Sequence, residues 1–539
     1  MKSTLTLDYS ERLRVLRDGA VNYAPVASGS LLGIVLVPLM LKALGQEAYG
    51  LWLSTLALIG IARLCEPGLS WIIISEVARW RGCQTKNGAQ ELVTAARDLY
   101  VIIGSVVSVI VCALAFKLGT ELHLSAQAEG VLPYVCVLLA LSLFADFVLA
   151  FPMSTLYGLR RFAFANVFEA GMGLLRSAGM LFLVLEHGDL IGFAAWHSAV
   201  SVISAVIGIV AVNRLEPRLN ARSRRSGWHL LCKRLSFGLN SAVMNFLGTL
   251  MWQAPRLLIG IISGAPFVAQ YQVGQKFPMT LGSVIERVTQ PIFPATTERA
   301  AAGDSEGIRE LLDTGTRSML VFALPACLIL WLEAPNLLAV WTGQSTAEAV
   351  TVFRLTSAAM LAEAVGASAH QVLWGADRAT TALAIVLGMA LVTLTLTPLL
   401  LAQIGIAGAA WGFLAGLTFG ACAFLVMACR ICQARPYSIM REGVRGLELP
   451  LVACLAVGVY TPMIIPAHGW AGVIASGVAP LIAFVSCLWL WGAREEERQF
   501  ILELVRMPAN VARRTATSSR RVAARVASIG MRTVSDELN

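Results

Sequence analysis

The feature that most constrains this chain is a series of apolar runs, each about 20 residues long, that recurs along nearly its whole length. Examples are Ala96–Leu118, Val131–Phe151 and Val321–Trp341. Of its 539 residues, 57% are hydrophobic and only 14% are charged, whereas soluble globular proteins average roughly 25% charged residues. The runs are too long and too continuous to be strands of a membrane barrel. We therefore predict an all-α polytopic membrane protein.

The apolar runs predict about fourteen transmembrane helices, separated by short polar or basic stretches. The predicted helices begin near Val21, Tyr49, Ala96, Val131, Ala165, Leu190, Leu235, Phe267, Ser318, Val350, Ala379, Gly405, Leu447 and Gly469.

The lysines and arginines between these helices predict how the chain is oriented. With the N-terminus placed in the cytoplasm, about 34 of them fall on the cytoplasmic side, and only Lys42 and Lys117 fall on the other. Both termini are therefore predicted to be cytoplasmic. The net charge of +9 resides in these loops, which argues against nucleic-acid binding. The opposite loops, such as Ser263–Pro266, are too short to hold a catalytic domain.

An internal repeat indicates how the helices are grouped. The segment IGFAAW at 191–196 recurs as IAGAAW at 406–411, and the basic turn GLRR at 158–161 corresponds to GADR at 375–378. QEAY at 46–49 also opens a helix much as FVAQY at 267–271 does. The offsets of about 215–222 residues predict two six-helix bundles, related by a pseudo-two-fold axis along the membrane normal, plus a C-terminal helix pair. The predicted parts are a cytoplasmic N-terminus (1–20), the first bundle (21–213), a basic linker (214–234), the second bundle (235–430), a basic loop (431–446), the helix pair (447–491) and a basic cytoplasmic tail (492–539).

Motifs for ATP binding and for zinc-dependent hydrolysis are missing from the sequence. It contains no Gly-Lys-Ser/Thr triplet of an ATP-binding loop and no HExxH motif. The eleven cysteines are scattered, and the CxxC pair Cys429 and Cys432 has no second pair to complete a zinc site. We predict neither an enzyme nor a bound metal or cofactor.

Five short motifs in order resemble those of Wzx-type polysaccharide flippases, within the multidrug/oligosaccharidyl-lipid/polysaccharide exporter superfamily. They are LGQEAYGLW at 44–52 followed by EPG at 66–68, GLRRF at 158–162, YQVG at 271–274 and IGIAGAAW at 404–411. The resemblance covers residues 20–430. Many members of this family carry an acidic residue before the basic one in the seventh helix, where this chain has Pro255-Arg256.

The resemblance implies a function as well as a fold. It implies a bacterial inner-membrane protein that moves polyprenyl-pyrophosphate-linked oligosaccharide outward by alternating access. A proton or sodium gradient would drive it, and glycosyltransferases and a glycan polymerase would be its partners. A lipid II flippase and an ion-coupled drug or cation exporter of the same superfamily are alternatives. A membrane glycan polymerase is a third, and the short external loops count against it.

Charged side chains within the apolar runs are the candidate site residues, since each costs about 2.5–3.5 kcal/mol to insert at a helix centre. The candidates for substrate binding are Arg63, Arg176, Arg256, Lys276, Arg287 and Arg354. Those for ion coupling are Glu66, Asp146 and Glu363. Lys276 and Arg287 are expected to share one helix face about 16 Å apart, as a track for a pyrophosphate. Structural pairing is the alternative, for example Arg63 with Glu66 or Glu169 with Arg176.

Overall fold

The computed structural model consists of α-helices that pack side by side. It describes residues 9–66, 68–70, 72–74, 76–77, 88–121, 126–159, 161–186, 188–217, 225–343, 345–464, 469–494 and 498, and none of these residues lies in a strand. The helices are α1 (Tyr9–Ala62), α2 (Gly88–Glu121), α3 (Ala126–Gly158), α4 (Phe162–Leu185), α5 (Leu190–Leu215), α6 (Arg225–Ser263), α7 (Ala265–Thr289), α8 (Ile292–Ala301), α9 (Ser305–Thr342), α10 (Ala347–Gly375), α11 (Ala379–Ile404), α12 (Ile406–Ile431), α13 (Pro436–Val444), α14 (Glu448–Ile464) and α15 (Gly469–Cys487).

A break in α1 divides it into two helical segments. Gly45 has non-helical backbone angles, with φ at 79° and ψ at 170°. Glycine adopts this conformation without the steric penalty that a β-carbon would bring. The break lies between the predicted helices that begin near Val21 and Tyr49, which therefore correspond to the two segments of α1.

Many of these helices can cross a membrane. Within the described residues, eleven are long and apolar enough, or up to twelve if the bent pair α13 and α14 counts as one span. This confirms the prediction of an all-α polytopic membrane protein. The glutamine-rich α7 is not among the eleven. The count of fourteen and the two-fold relationship between the bundles remain predictions.

The helices form two groups and an additional pair. In the first group (α1–α5), α4 packs on α1, and α3 packs on α2 and α5. In the second group (α6–α12), α10 lies at the centre, against α7, α9 and α12. The two groups meet along a seam where α1 contacts α6 and α7, and α2 contacts α6. The pair α14 and α15 packs mainly on α9.

The additional pair is held to α9 by one buried arginine. Arg317 is only 2% exposed. Its guanidinium donates hydrogen bonds to the carbonyl oxygens of Arg445 at 2.6 Å and Gly492 at 2.9 Å. The first carbonyl precedes α14 and the second follows α15. One side chain of α9 therefore binds the chain on entry to the pair and on exit from it.

The seam is tightly packed at the end of the molecule that carries Gly45, Gly264 and Gly343, which we call the short-turn end. At Gly50 a β-carbon would collide with the backbone carbonyl of Ala265. Small residues allow such close helix contacts in membranes. The indole nitrogen of Trp341 donates a hydrogen bond of 2.8 Å to the carbonyl oxygen of Ile34. The two helix groups are therefore closed against each other at the short-turn end.

Candidate functional site

Two cations lie close together near the seam, on the helices that meet at the Gly264 turn. The charge of Arg256 on α6 acts on Lys276 of α7 and on the phenol groups of Tyr49 and Tyr271. Arg256 Nη1 donates a hydrogen bond of 3.2 Å to Gln253 Oε1. Arg256 and Lys276 are like charges in a low-dielectric environment, where they repel each other strongly.

Neither of these cations has an acidic partner among the described residues, where no carboxylate lies within salt-bridge distance of Arg256 or Lys276. Arg256 Nε is buried and makes no hydrogen bond to any residue that the structure describes. A buried charge without a counter-ion is costly, so this position favours an anion supplied from outside the chain.

Uncharged polar groups of α7 extend the same region. The hydroxyl of Tyr271 and the amide oxygens of Gln272 and Gln275 are buried without a hydrogen-bond partner in the part of the chain that the structure describes. Tyr271 is completely buried, and Gln275 is 2% exposed. Buried polar atoms are nearly always hydrogen-bonded in folded proteins, so this cluster points to a bound polar ligand or to water. Hydroxyl groups of a sugar have the donors and acceptors that these side chains lack.

Lys276 extends across the seam to the first helix group. Its Nζ and Cε atoms occupy the space where a β-carbon of Gly33 would lie. The ammonium group therefore sits between α7 and α1, where any relative movement of the two groups would change its surroundings.

A second set of candidate residues comes together in the first helix group. Arg63 Nη2 lies 2.9 Å from Asp146 Oδ2, and the Asp146 side chain is 6% exposed. Arg176 interacts electrostatically with both residues. Its guanidinium donates a hydrogen bond of 3.1 Å to Ser201 Oγ. Asp146 is thus ion-paired with Arg63, and its charge also acts on Arg176 of α4.

Two further acids of the first group, Glu66 and Glu169, also have hydrogen-bond partners. Glu66 accepts hydrogen bonds from the Tyr100 hydroxyl at 2.6 Å and from the Ser70 backbone at 2.8 Å. Arg63 is therefore paired with Asp146 and not with Glu66. Glu169 is hydrogen-bonded to Tyr157, and the cation that acts on it is Arg63.

Glu363 on α10 differs from the acids of the first group. No basic residue pairs with it in the part of the chain that the structure describes, and the charged group that acts on it is Glu286 of α7. The two helices are in close contact one turn away, where Gly282 faces the Met360 side chain. Two neighbouring carboxylates without a base can share a proton or bind a cation.

The two other candidate cations lie apart from the Arg256–Lys276 pair. Arg354 Nε donates a hydrogen bond of 3.2 Å to the carbonyl oxygen of Trp331, and its guanidinium lies 6.0 Å from the indole centroid. Trp331 is 41% exposed, so this pair lies at the periphery of the bundle. Arg287 is in the last turn of α7. Because α7 is continuous from Lys276 to Arg287, the two residues lie on one helix. The pyrophosphate track along one face of this helix stays a prediction.

Sequence reasoning missed the uncharged part of the site. Tyr49, Tyr271 and Gln275 were not selected, because a search for intramembrane charges passes over tyrosine and glutamine. A signal was present in residues 270–276, where three glutamines and a tyrosine interrupt an apolar helix.

Comparisons with known proteins agree with this architecture. A model of the family described as "Polysaccharide biosynthesis protein" matches residues 15–299, which is more than half of the chain. A Shigella flexneri protein described as "Putative O-antigen transporter" is 19% identical over 345 residues, covering 62% of this chain and 78% of that protein.

Two solved structures share the fold. The lipid II flippase MurJ in an inward closed conformation gives a TM-score of 0.65 at 12% identity, covering 87% of this chain and 99% of that one. A multidrug resistance transporter of the MATE family, in an inward-facing conformation, gives a TM-score of 0.63 at 14% identity, covering 78% of this chain and 96% of that one.

Proposed function

Because this chain belongs to the polysaccharide biosynthesis protein family, we propose that it flips polyprenyl-pyrophosphate-linked oligosaccharide across the bacterial inner membrane during the synthesis of cell-surface polysaccharide. The observation that carries this proposal is the Arg256–Lys276 pair, which lies near the seam without a carboxylate partner among the described residues. The name of the Shigella relative, which refers to O-antigen transport, supports a polysaccharide cargo.

The chemistry of the site fits a pyrophosphate that carries sugars. A guanidinium presents a planar fork of donors to phosphate oxygens, and an ammonium adds a point charge. The unpartnered groups of Tyr271, Gln272 and Gln275 can exchange hydrogen bonds with the hydroxyls of the adjacent sugar. A cationic drug would be repelled by the same two charges, which disfavours drug export.

Transport would proceed by alternating access. The positive-inside rule assigns the short-turn end to the outside and the end that carries Arg161, Arg378 and Arg430 to the cytoplasm, with both termini cytoplasmic. The close contact of Gly50 with Ala265 then holds the two helix groups together at the outer end. Rocking of the groups about the seam would separate them there and open the site to the outside. Glycosyltransferases would supply the cargo, and a polymerase would use it after export.

We assign ion coupling to Glu363. Asp146 and Glu66, the other two candidates, already bind Arg63 and Tyr100. Among the described residues, Glu286 is the charged group that acts on Glu363, so a proton or sodium ion bound there would not displace a described protein cation. Glu363→Gln should therefore abolish the stimulation of export by an imposed gradient while transport down a cargo gradient persists. Unchanged stimulation in this variant would contradict the assignment.

Purified protein in vesicles tests the function directly. The vesicles carry undecaprenyl pyrophosphate linked to a fluorescent oligosaccharide in one leaflet, and a membrane-impermeant quencher reports its transfer. We expect wild-type protein to move the lipid, and Lys276→Gln and Arg256→Gln to lose this activity. Arg430→Gln, which alters an exposed cation at the opposite end, is the control.

Two outcomes of this assay would refute the proposal. Absence of transfer by wild-type protein would refute the lipid-linked cargo, and full activity of both glutamine variants would refute the site. Transfer of lipid II in place of the oligosaccharide lipid would favour the lipid II alternative.

A further inference from the structure

A second region of interest is a cavity of about 730 Å³ at the short-turn end. It lies between the first segment of α1, the end of α9 and the beginning of α15. Ile34, Lys42, Trp341 and Trp470 are among the residues that line it. None of the substrate-binding or ion-coupling candidates of the sequence analysis lines this cavity.

The lining of this cavity changes from apolar to polar along α1. Ile34, Val35, Pro38, Leu39 and Leu41 form an apolar wall, and Lys42 and Gln46 follow at the short-turn end. The nine residues from Ile34 to Lys42 span about 12 Å of helix. An amphiphile fits this pattern, with its hydrocarbon chain along the apolar wall and an anionic head at Lys42. The half-exposed Trp470 lies at the polar end, as tryptophan does at membrane interfaces.

The cavity shares a wall with the Arg256–Lys276 site. Ile34, which lines the cavity, follows Gly33, against which the Lys276 side chain lies. Trp341 lines the cavity and packs edge-on against Phe277, the residue after Lys276, with ring centroids 4.9 Å apart. The hydrogen bond from Trp341 to Ile34 closes this wall. Separation of α1 from α9 would therefore join the two compartments.

We propose that this cavity is the exit site of the transporter, where the phosphate head and the first isoprene units of the exported lipid-linked cargo bind in the outer leaflet. This inference rests on the proposed function and on the orientation given there. Lys42 binds the phosphate, and the apolar wall of α1 binds the polyprenyl chain. We assign the cavity to the cargo and not to an ordinary phospholipid because its inner wall is formed by residues adjacent to Gly33 and Lys276.

Photo-crosslinking identifies the occupant. Val35 lines the cavity and is 53% exposed, so p-benzoylphenylalanine at this position can react with a bound chain. The protein is placed in phosphatidylethanolamine–phosphatidylglycerol vesicles with radiolabelled undecaprenyl-pyrophosphate oligosaccharide loaded only in the leaflet at the cytoplasmic end. We expect the crosslink to carry the radiolabel, and Lys42→Gln to reduce it at least about fivefold. The control is Lys117→Gln, because Lys117 is the other external lysine and does not line the cavity.

The leaflet that is loaded separates failure of the exit site from failure of transport. With cargo in the cytoplasmic leaflet, Lys276→Gln should abolish the labelled crosslink, whereas with cargo in the outer leaflet it should not. Crosslinking to phospholipid alone, or labelling that is unaffected by Lys42→Gln, would overturn the exit site while wild-type flipping stands. A third outcome is that, with wild-type protein, cargo loaded in the outer leaflet crosslinks but cargo loaded in the cytoplasmic leaflet does not. In that case the proposed flipping function fails, and the cavity remains a binding site for the cargo.

Discussion

The candidate intramembrane charges of the two helix groups differ in whether the described part of the protein provides them with a partner. In the first group, Arg63 is 2.9 Å from Asp146, and Glu66 is hydrogen-bonded to Tyr100. In the second group, the charge of Arg256 acts on Lys276, and neither residue has an acidic partner among the described residues. Charge alone therefore does not distinguish a structural residue from a candidate ligand-binding residue in this chain. The difference lies in whether another helix provides the partner.

This contrast has an energetic consequence. Removing one member of an ion pair leaves the other charge without its partner, so the first group should lose stability when Arg63 or Asp146 is substituted. Two unpaired cations repel each other and destabilise the ligand-free state. Functional sites commonly retain such unfavourable features because their ligand relieves them. We therefore expect substitutions in the two groups to separate stability from transport.

The largest effect should come from placing an acid in the second group. Lys276→Glu puts a carboxylate near Arg256, which forms the missing ion pair and removes the anion site. We expect export to fall at least about 100-fold, equivalent to about 2.7 kcal/mol. The melting temperature in detergent should rise, because like-charge repulsion is replaced by attraction. The vesicle assay and thermal unfolding measured on the same preparation test both effects.

Lys276→Met is the matched control for this prediction. It removes the ammonium without supplying a carboxylate, so it should lose export but gain less stability than Lys276→Glu. A drop in melting temperature for both variants would show that Lys276 has an acidic partner in the protein, and the contrast between the two groups would fail.

In the first group we expect a smaller effect of opposite sign, in which substitution lowers stability and leaves export nearly unchanged. Asp146→Asn leaves Arg63 and Arg176 without their shared carboxylate. Because the Arg63 side chain is 55% exposed and can be hydrated, we expect a loss of only about 1–2 kcal/mol in unfolding free energy. Export per folded molecule should remain within about threefold of wild type.

A double-mutant cycle with Arg63→Gln isolates this pair. If Asp146 and Arg63 stabilise the protein together, the double variant should lose less than the sum of the two single variants. Additive losses would mean that Asp146 acts mainly through Arg176 or through hydration.

The fold follows largely from hydrophobic patterning, because a membrane leaves a chain with few ways to satisfy its backbone. The apolar runs predicted helices from Ala96 and from Val131, and α2 and α3 contain them. The patterning separated the helices that begin near Val21 and Tyr49, as the break in α1 does, but it did not indicate that the break would fall at Gly45, since a single glycine carries little signal. Nor could it predict α13, a nine-residue helix outside the apolar runs.

The candidate site was less accessible to sequence reasoning. Intramembrane charge selected Arg256, Lys276 and Asp146 equally, because pairing depends on tertiary contacts between helices that are far apart in sequence. Arg63 and Asp146 are an example, since the i,i+3 spacing favoured Glu66 as the partner. The polar groups of Tyr271 and Gln275 gain significance only once their burial without partners is known.

The smallest effect is expected at Arg354. This residue tests whether the role of an intramembrane charge depends on its having a partner in the protein or on the helix group to which it belongs. Arg354 belongs to the second group, but its guanidinium is bonded to the Trp331 carbonyl and lies over the indole ring at the periphery. An exposed cation–π contact contributes about 0.5–1 kcal/mol. Arg354→Gln should therefore lower the unfolding free energy by no more than about 1 kcal/mol and change export by less than about twofold. Measured beside Lys276→Gln, it compares two cations of one group that differ in whether the protein supplies a partner. If Arg354→Gln abolishes export in correctly folded protein, the total positive charge of the second group matters more than the unpaired state of Arg256 and Lys276.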